Sequence, residues 1–190
     1  MAKQPDATTA EAVSSLRAVA HPLRLRILSL LTGTEMSAAE IARELDISHA
    51  NASYHLRQLA AAELLVEAGE EKIRGGVAKR YRHPWRSQGT GGKPTSEDKR
   101  LYIQAIGDEL VRRFDSRRPR TKQFLSDAEM WVEPDTWKEV MALLAKASEL
   151  MHTRARPPRS EGTIHVNATS IAFQMLDRPG DRDDTKDGTR

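Results

Sequence analysis

The chain has 190 residues, of which 38% are hydrophobic and none is cysteine. This length allows one or two small domains around a modest core, and it excludes a large enzyme. The lack of cysteine excludes disulfides, thiolate metal sites and cysteine nucleophiles, and it fits a reducing compartment. Because 30 basic residues nearly balance 27 acidic ones for a net charge of +3, the distribution of charge carries more information than its sum.

No apolar run approaches the roughly 18 residues that a membrane span needs. The first residues, Met1 to Asp6, have neither the basic start nor the apolar stretch of a signal peptide. We therefore expect a cytoplasmic protein with no membrane partner.

Two helices are predicted at the start of the chain. Apolar residues recur at helical spacing within 10–20, which predicts the first helix. The proline that follows is tolerated in the first turn of a helix, and apolar residues repeat behind it at three and four residues. A second helix is therefore predicted over 22–32, ending at Gly33. We expect Arg24 and Arg26 on its exposed side.

A pair of short helices is predicted next. Ser37 and Glu40 form a capping-box signature ahead of an apolar face that runs to Leu45. After a turn of about three residues, Ser48 is a good cap for a helix whose apolar positions within 52–59 are four and three residues apart. Two short helices joined by such a turn are typical of a helix-turn-helix.

A basic β-hairpin is predicted after the helix pair. The apolar run 64–66 begins an extended segment, Gly75 and Gly76 supply a turn, and side chains alternate between two faces through 77–82. Between positions 72 and 86 the chain has six basic residues and no acidic one. A helix-turn-helix followed by a hairpin predicts a winged helix-turn-helix.

The second half begins after a change in composition. Residues 87–96 are rich in Gly, Ser and Thr, which predicts a flexible linker. Beyond it, apolar stripes predict helices over 97–114 and over 136–151, and Pro134 opens the second of these. Residues 163–176 alternate in polarity, which predicts a short strand with a bulge or a turn where the alternation changes parity.

These elements predict a mainly α protein with a small β wing, which is an α+β class. A winged helix-turn-helix is followed by a smaller helical C-terminal domain with a short strand segment. The predicted division is 10–86 for the winged helix-turn-helix, 87–96 for the linker, 97–176 for the C-terminal domain and 177–190 for a disordered tail.

Four stretches, in this order and spacing, carry a family resemblance. They are the Ala-His-Pro-Leu-Arg-Leu-Arg-Ile-Leu run within 16–31, the two helices at 37–45 and 48–59, and the wing at 64–81. Over roughly residues 10–84 the chain resembles the winged helix-turn-helix of the ArsR family of bacterial transcriptional repressors. The second half, with Trp-Val-Glu-Pro-Asp-Thr-Trp between its helices, is similar to the extension of long actinobacterial-type members.

This resemblance implies a homodimeric repressor, associated with the nucleoid, that binds an inverted-repeat operator in double-stranded DNA. The C-terminal half would serve dimerisation or the sensing of an effector. We expect the dimer to form through 10–20 and the apolar faces of 97–114 and 136–151.

The predicted recognition helix, 48–60, supplies the candidate base readers. Such a helix enters the major groove with its N-terminal half and reads base edges with side chains away from its buried stripe. The candidate readers are His49, Asn51, Ser53, Tyr54 and Arg57. His55 has two open interpretations: it lies close to DNA, as the family histidine in Ser-Tyr-His-Leu implies, or it satisfies a local hydrogen bond.

Candidate phosphate contacts lie at the start of this helix and in the wing. Ser48 either serves only as a cap or also directs backbone N–H groups toward a phosphate. Five basic wing residues can follow the flanking phosphates or reach the minor groove: Lys72, Arg74, Lys79, Arg80 and Arg82. A charge run is more often a solvated face, but its position beside a helix-turn-helix favours DNA here.

Three features of the C-terminal half have alternative interpretations. A basic cluster at 112–122 either extends the DNA footprint or, as we favour, faces the acidic stretch 127–139 of the same or a partner chain. Aromatic and methionine side chains pack in a core, the favoured interpretation, or line a pocket for a small-molecule effector. Glu149, His152 and His165 are too few to form a metal site, so no metal or cofactor is expected.

An enzyme is not predicted. The chain has no Gly-rich phosphate loop, no Gly-x-Ser-x-Gly elbow and no His-Glu-x-x-His motif. The alternative function is a winged-helix module for protein-protein or RNA interaction, whose recognition face would carry acidic or large apolar residues. Because 48–60 has no acidic residue, we favour a sequence-specific transcriptional regulator, a repressor, that acts through this helix and the wing at 72–82.

Overall fold

The computed structural model of the protein describes residues 15–73, 76–84 and 93–176. Its elements, in chain order, are α1 (Ser15–Val19), α2 (Pro22–Thr32), β1 (Met36–Ser37), α3 (Ala38–Leu45), α4 (His49–Ala61), β2 (Val66–Ile73), β3 (Gly76–Arg82), α5 (Ser96–Asp115) and α6 (Pro134–Arg154). This order confirms the predicted α+β class. Outside the described residues lie the start of the predicted first helix, Gly75 of the predicted turn, most of the predicted linker and the tail 177–190.

The core lies where the first four helices meet. Apolar residues of α2, α3 and α4 at helical spacing face one another there and leave the polar residues outside. The most deeply buried side chains are Ile27, Leu31, Ile41, Leu56 and Leu59. Leu64 and Leu65, which precede the wing, close the same core, so the wing is anchored directly to the helix pair.

The predicted caps of the two short helices are confirmed. The Ser37 hydroxyl accepts a hydrogen bond from the Glu40 N–H, and the Glu40 carboxylate accepts one from the Ser37 N–H at 2.7 Å. The Ser48 hydroxyl accepts a hydrogen bond from the Asn51 N–H at 3.1 Å. Asp46, at φ 53°, turns the chain between α3 and α4, a conformation that Asp tolerates better than most residues.

The wing is part of a three-stranded antiparallel sheet in the order β1-β3-β2. The sequence did not predict β1, whose Met36 pairs with Tyr81 of β3. Between β2 and β3 the register shifts at Glu67 and Gly69. Gly69 has φ 148°, which glycine adopts without strain, so this residue accommodates the bulge.

The helix predicted over 97–114 is confirmed as α5, but it buries a different face from the predicted apolar stripe. It packs against α1 and α2 through Ala105. Glu109 is also buried on this face, at 2% exposure, and forms ion pairs with Arg112 and Arg113. The stripe that includes Ile103 and Leu110 therefore stays exposed on the other side of the helix.

The helix that Pro134 opens is confirmed as α6, and it has no buried residue. The strand predicted at 163–176 is not formed. The physical reason is that a strand requires a hydrogen-bonding neighbour, and this segment pairs with no strand of the described chain. Within the same described ranges, no helix is long and apolar enough to cross a membrane.

The segment after α6 returns to the preceding helices, including α3 and α5. Arg159 forms an ion pair with Glu44 of α3 at 2.7 Å, and Arg113 donates a hydrogen bond to Asn167 at 3.0 Å. At Gly33, an added Cβ atom would lie 2.8 Å from the backbone oxygen of Arg156. The absence of a side chain at Gly33 thus permits this close backbone approach.

Candidate nucleic-acid interface

The outer surface of α4 carries the candidate base readers on two adjacent faces. His49, Ser53 and Arg57 are four residues apart and share the face toward the wing, whereas Asn51 and Tyr54 share the face turned away from it. His49, Asn51, Tyr54 and Arg57 are exposed and Ser53 is partly buried. The helix buries its opposite side in the core, so all five predicted readers are presented toward solvent.

A cleft of about 490 Å³ separates α4 from the wing. His49, Ser53 and Arg57 line it from α4, and Lys79 and Tyr81 line it from β3. The structure therefore brings three candidate readers and one candidate phosphate contact of the wing to the same concave surface.

His55 differs from the other candidates on α4. Its side chain is only 7% exposed, and its ring packs against His21 at a centroid distance of 4.8 Å and against Tyr54 at 5.1 Å. Burial leaves this ring without the open surface that base contact needs. The placement therefore counts against the interpretation that His55 contacts DNA. The other interpretation, a local hydrogen bond, is not met at Nδ1, which has no partner among the described residues.

The wing is less basic than the sequence predicted, because glutamates lie across the sheet from its cations. Lys79 forms an ion pair with Glu67 at 2.8 Å. Arg82 lies 3.8 Å from the carboxylate of Glu35. Lys72 is exposed and has no ion-pair partner among the described residues. Arg74 lies outside those residues.

Arg80 is held by the protein itself. Its guanidinium contacts Glu40 at 3.0 Å and Glu71 at 2.7 Å, and it also donates to the backbone oxygen of Glu35. Burial works to raise the pKa of Glu40, but hydrogen bonds from Ser37 and the charge of Arg80 hold it below the usual value. Arg80 thus joins the wing to the capping box of α3.

A polar cluster that the sequence did not predict lies on the other side of α4. His21 and Arg24, at the start of α2, meet Tyr54 and His55. Arg24 and Arg26, predicted on an exposed side, are both partly buried because α2 packs against α4 and α3. The Nε of Arg24 is buried without a hydrogen-bond partner in the described part of the chain. The sequence shows only that His21 and Arg24 lie three residues apart at the start of a predicted helix.

The charged segments of the C-terminal half remain apart. Arg112 and Arg113 are paired with Glu109, and in the described ranges no ion pair joins the basic cluster at 112–122 to the acidic stretch at 127–139. Across those same ranges, no three His, Asp or Glu side chains form a group that could hold a metal ion.

Comparison with known proteins finds likeness in the first half of the chain. Residues 19–68 match a family model described as a helix-turn-helix domain. The transcriptional repressor SdpR of Bacillus subtilis (strain 168) is 41% identical over 49 residues, 26% of this chain and 54% of the relative. The chain thus spans about half the length of this curated relative.

A solved structure, described as a possible transcriptional regulatory protein (fragment 1-100) from Mycobacterium bovis, is 23% identical with a TM-score of 0.32. The match covers 50% of this chain and 89% of that chain. The family match extends from the end of α1 into β2, and with the β2–β3 ribbon behind it this part of the chain is a winged helix-turn-helix.

Proposed function

We propose that this protein is a sequence-specific DNA-binding transcriptional regulator of the ArsR type, a homodimeric repressor that binds an inverted-repeat operator. The observation that carries the proposal is the solvent-facing side of α4, which has exposed polar readers and no acidic residue and lies beside a β-ribbon wing. A protein-binding winged helix would present acidic or large apolar side chains there. The relative named as a transcriptional repressor, 41% identical over 49 residues, adds support for the class.

In this proposal α4 enters the major groove, which is wide enough for one helix. Asn51 and Arg57 have the donor and acceptor geometry for bidentate contacts with adenine and guanine edges. His49 and Ser53 extend the reading surface on the wing side, and Tyr54 contacts a phosphate or a thymine methyl group on the other.

The wing then follows the flanking phosphates through Lys72, Lys79 and Arg82, and through Arg74. The ion pair of Lys79 with Glu67 does not prevent this, because both side chains are about half exposed and such surface pairs are weak. Arg80 has a different role, since its guanidinium already has two carboxylate partners. We assign it to positioning the wing against α3.

The C-terminal half supports a dimer. Helix α5 leaves the stripe that includes Ile103 and Leu110 exposed, and α6 buries none of its apolar residues. Phe124 is 90% exposed and Trp131 is 84% exposed, which is neither of the two placements that the sequence predicted for such residues. Exposed apolar side chains in this number are typical of an interaction surface, and we assign them to contact with a second copy of the chain.

Charge supports the same assignment. The basic cluster at 112–122 and the acidic stretch at 127–139 do not pair within the described chain, and a partner chain offers each the opposite charge. A small-molecule effector, where one acts, would bind in this half and change the spacing of the two recognition helices.

The proposal is tested by titrating the full-length protein into a fluorescein-labelled duplex pool of random sequence, about 30 base pairs or roughly three helical turns long. We expect binding whose log Kd rises linearly with log salt, since bound cations are released from the phosphates. A parallel titration uses single-stranded RNA of the same length. Preference for the RNA, or no binding to either pool, would contradict the proposal and favour the interaction-module alternative.

A further inference from the structure

A second polar site flanks the recognition helix on the side away from the wing. It consists of His21 and Arg24 from the start of α2 and of Tyr54 and His55 from α4. The rings of His21 and His55 are 4.8 Å apart, and Arg24 acts electrostatically on both of them. Tyr54 is 52% exposed and forms the outer edge of the cluster.

The cluster has donors that the protein does not use. Among the residues that the structure describes, the Nε of Arg24 is buried with no hydrogen-bond partner, and so is the Nδ1 of His55, a side chain more than nine-tenths buried. Buried polar atoms in folded proteins are nearly always paired. The guanidinium of Arg24 is therefore incompletely paired within the described residues, and because its side chain is partly exposed, a ligand at the surface can complete its bonding.

The tautomer of His21 gives the site a further donor. Its Nδ1 accepts a hydrogen bond from the Leu23 N–H at 3.1 Å, so the neutral ring carries its proton on Nε2. Burial and then the charge of Arg24 hold the pKa of His21 below its usual value. The ring therefore stays neutral near pH 7 and keeps an N–H available beside the guanidinium.

Within the described ranges, no carboxylate forms an ion pair with Arg24. Helix α1 also packs against α2 and α4, but its one charged side chain, Arg17, is paired with Asp98 of α5 at 3.4 Å. On α3, Glu40 is engaged by Arg80 and Glu44 by Arg159. Burial lowers the pKa values of both histidines, and Arg24 lowers both further, with His21 adding to the effect at His55.

From this arrangement we propose that His21, Arg24 and Tyr54 form a seat for a backbone phosphate of duplex DNA, with His55 packed behind them. Arg24 supplies the charge, and His21 Nε2 and the Tyr54 hydroxyl supply neutral donors. A helix in the major groove has a phosphate strand on each side. The wing covers one strand, and this seat lies where α4 meets the other.

The proposed seat rests on the proposed function, and its test separates the two. The affinity of full-length protein for the random duplex pool is measured across salt concentrations for the wild type and for Arg24→Gln and Arg26→Gln. The matched control is Arg26, two residues along the same helix, whose guanidinium donates to the Leu45 backbone oxygen at 3.5 Å. We expect Arg24→Gln to weaken binding roughly tenfold and to reduce the salt slope by about one, and Arg26→Gln to leave the slope unchanged.

A second, milder variant separates the loss of a phosphate contact from a loss of folding. In His21→Asn, the amide oxygen preserves the N-cap, since Asn is a preferred capping residue, but the Nε2 donor is lost. We expect weaker binding of the duplex with an unchanged circular dichroism spectrum. If the wild type binds and both Arg24→Gln and His21→Asn retain its affinity and slope, the seat is wrong while the proposed function stands. If the wild type binds no duplex, both are wrong.

Discussion

Three buried or partly buried histidines have lowered pKa values in the folded chain. Burial is the main reason that the pKa values of His21, His55 and His83 lie below the usual histidine value. The charge of Arg24 adds to the effect at His21 and His55, whereas a hydrogen bond with the Leu64 backbone oxygen opposes it at His83. In the unfolded chain the same residues take up protons near pH 6.5, whereas the folded chain takes them up only at lower pH.

The free energy of unfolding should therefore fall as the pH decreases below about 6.5. The stabilisation is complete above the unfolded-state pKa and is lost as the pH falls toward the folded-state values. We expect His55→Gln, which keeps a polar side chain without the titration, to show a smaller loss in urea unfolding between about pH 7 and pH 5. The control is Lys146→Ala on the exposed surface of α6, which should behave like the wild type. Equal pH slopes in wild type and His55→Gln would contradict this account.

At the scale of elements, one side chain of the wing adds to its attachment by joining three elements. Arg80 joins β3 to Glu40 of α3 and to Glu71 of β2. We expect Arg80→Ala to lower the free energy of unfolding by about 1 to 3 kcal/mol, because hydrogen bonds to charged partners are lost at a partly buried position. Thermal and urea unfolding measure this change.

The matched comparison is Lys72→Ala on the same ribbon. Lys72 is exposed without an ion pair in the described residues, so we expect unchanged stability and a salt slope for duplex binding reduced by about one. If instead Arg80→Ala left stability intact and reduced the salt slope as Lys72→Ala does, Arg80 would be a phosphate contact and not a positioning residue.

Local signals predicted the helices well. The spacing of apolar residues predicted α2 over its full length, and capping residues predicted the starts of α3 and α4. The strand β1 has only two residues, which is too short for any periodicity to appear. A strand was wrongly predicted after α6 because alternation of polarity shows which residues suit a strand, and not whether a neighbouring strand exists.

The candidate site was only partly predictable for a related reason. The readers on α4 follow from helical spacing alone, so their exposure agrees with the sequence. The neutralisation of the wing depends on the register that pairs Glu71 and Glu67 with β3. The cluster of His21 and Arg24 with Tyr54 depends on how α2 crosses α4. Neither relation exists until the chain has folded.

At the scale of the whole molecule, the exposed apolar surface of α5 and α6 predicts a dimer. We expect the full-length protein to elute as a dimer in size-exclusion chromatography with light scattering. Leu110→Glu places a charge in the exposed stripe of α5 and should give a monomer, because burial of an unpaired carboxylate is unfavourable. Arg100→Glu introduces the same side chain at an exposed polar position of that helix and should leave the dimer intact. A monomeric wild type, or dimeric Leu110→Glu, would contradict the assignment.

A dimer of this kind places two recognition helices in successive major grooves, about one helical turn apart. The readers on α4 then decide which sequence is bound, and the wing and the seat at Arg24 decide how strongly any duplex is bound. Loss of Arg57 should therefore relax the preference for one base in each half-site without abolishing binding.

The most direct measurement is selection of bound duplexes from a random DNA library at two salt concentrations, followed by sequencing, for the wild type and Arg57→Ala. The account predicts a palindromic motif with half-sites about one turn apart, and the loss of one specified base per half-site in the variant. Lys146→Ala, on the exposed surface of α6, should reproduce the wild-type motif. Recovery of duplexes without any motif, bound in a salt-sensitive manner, would contradict sequence-specific regulation and indicate a general DNA-coating protein.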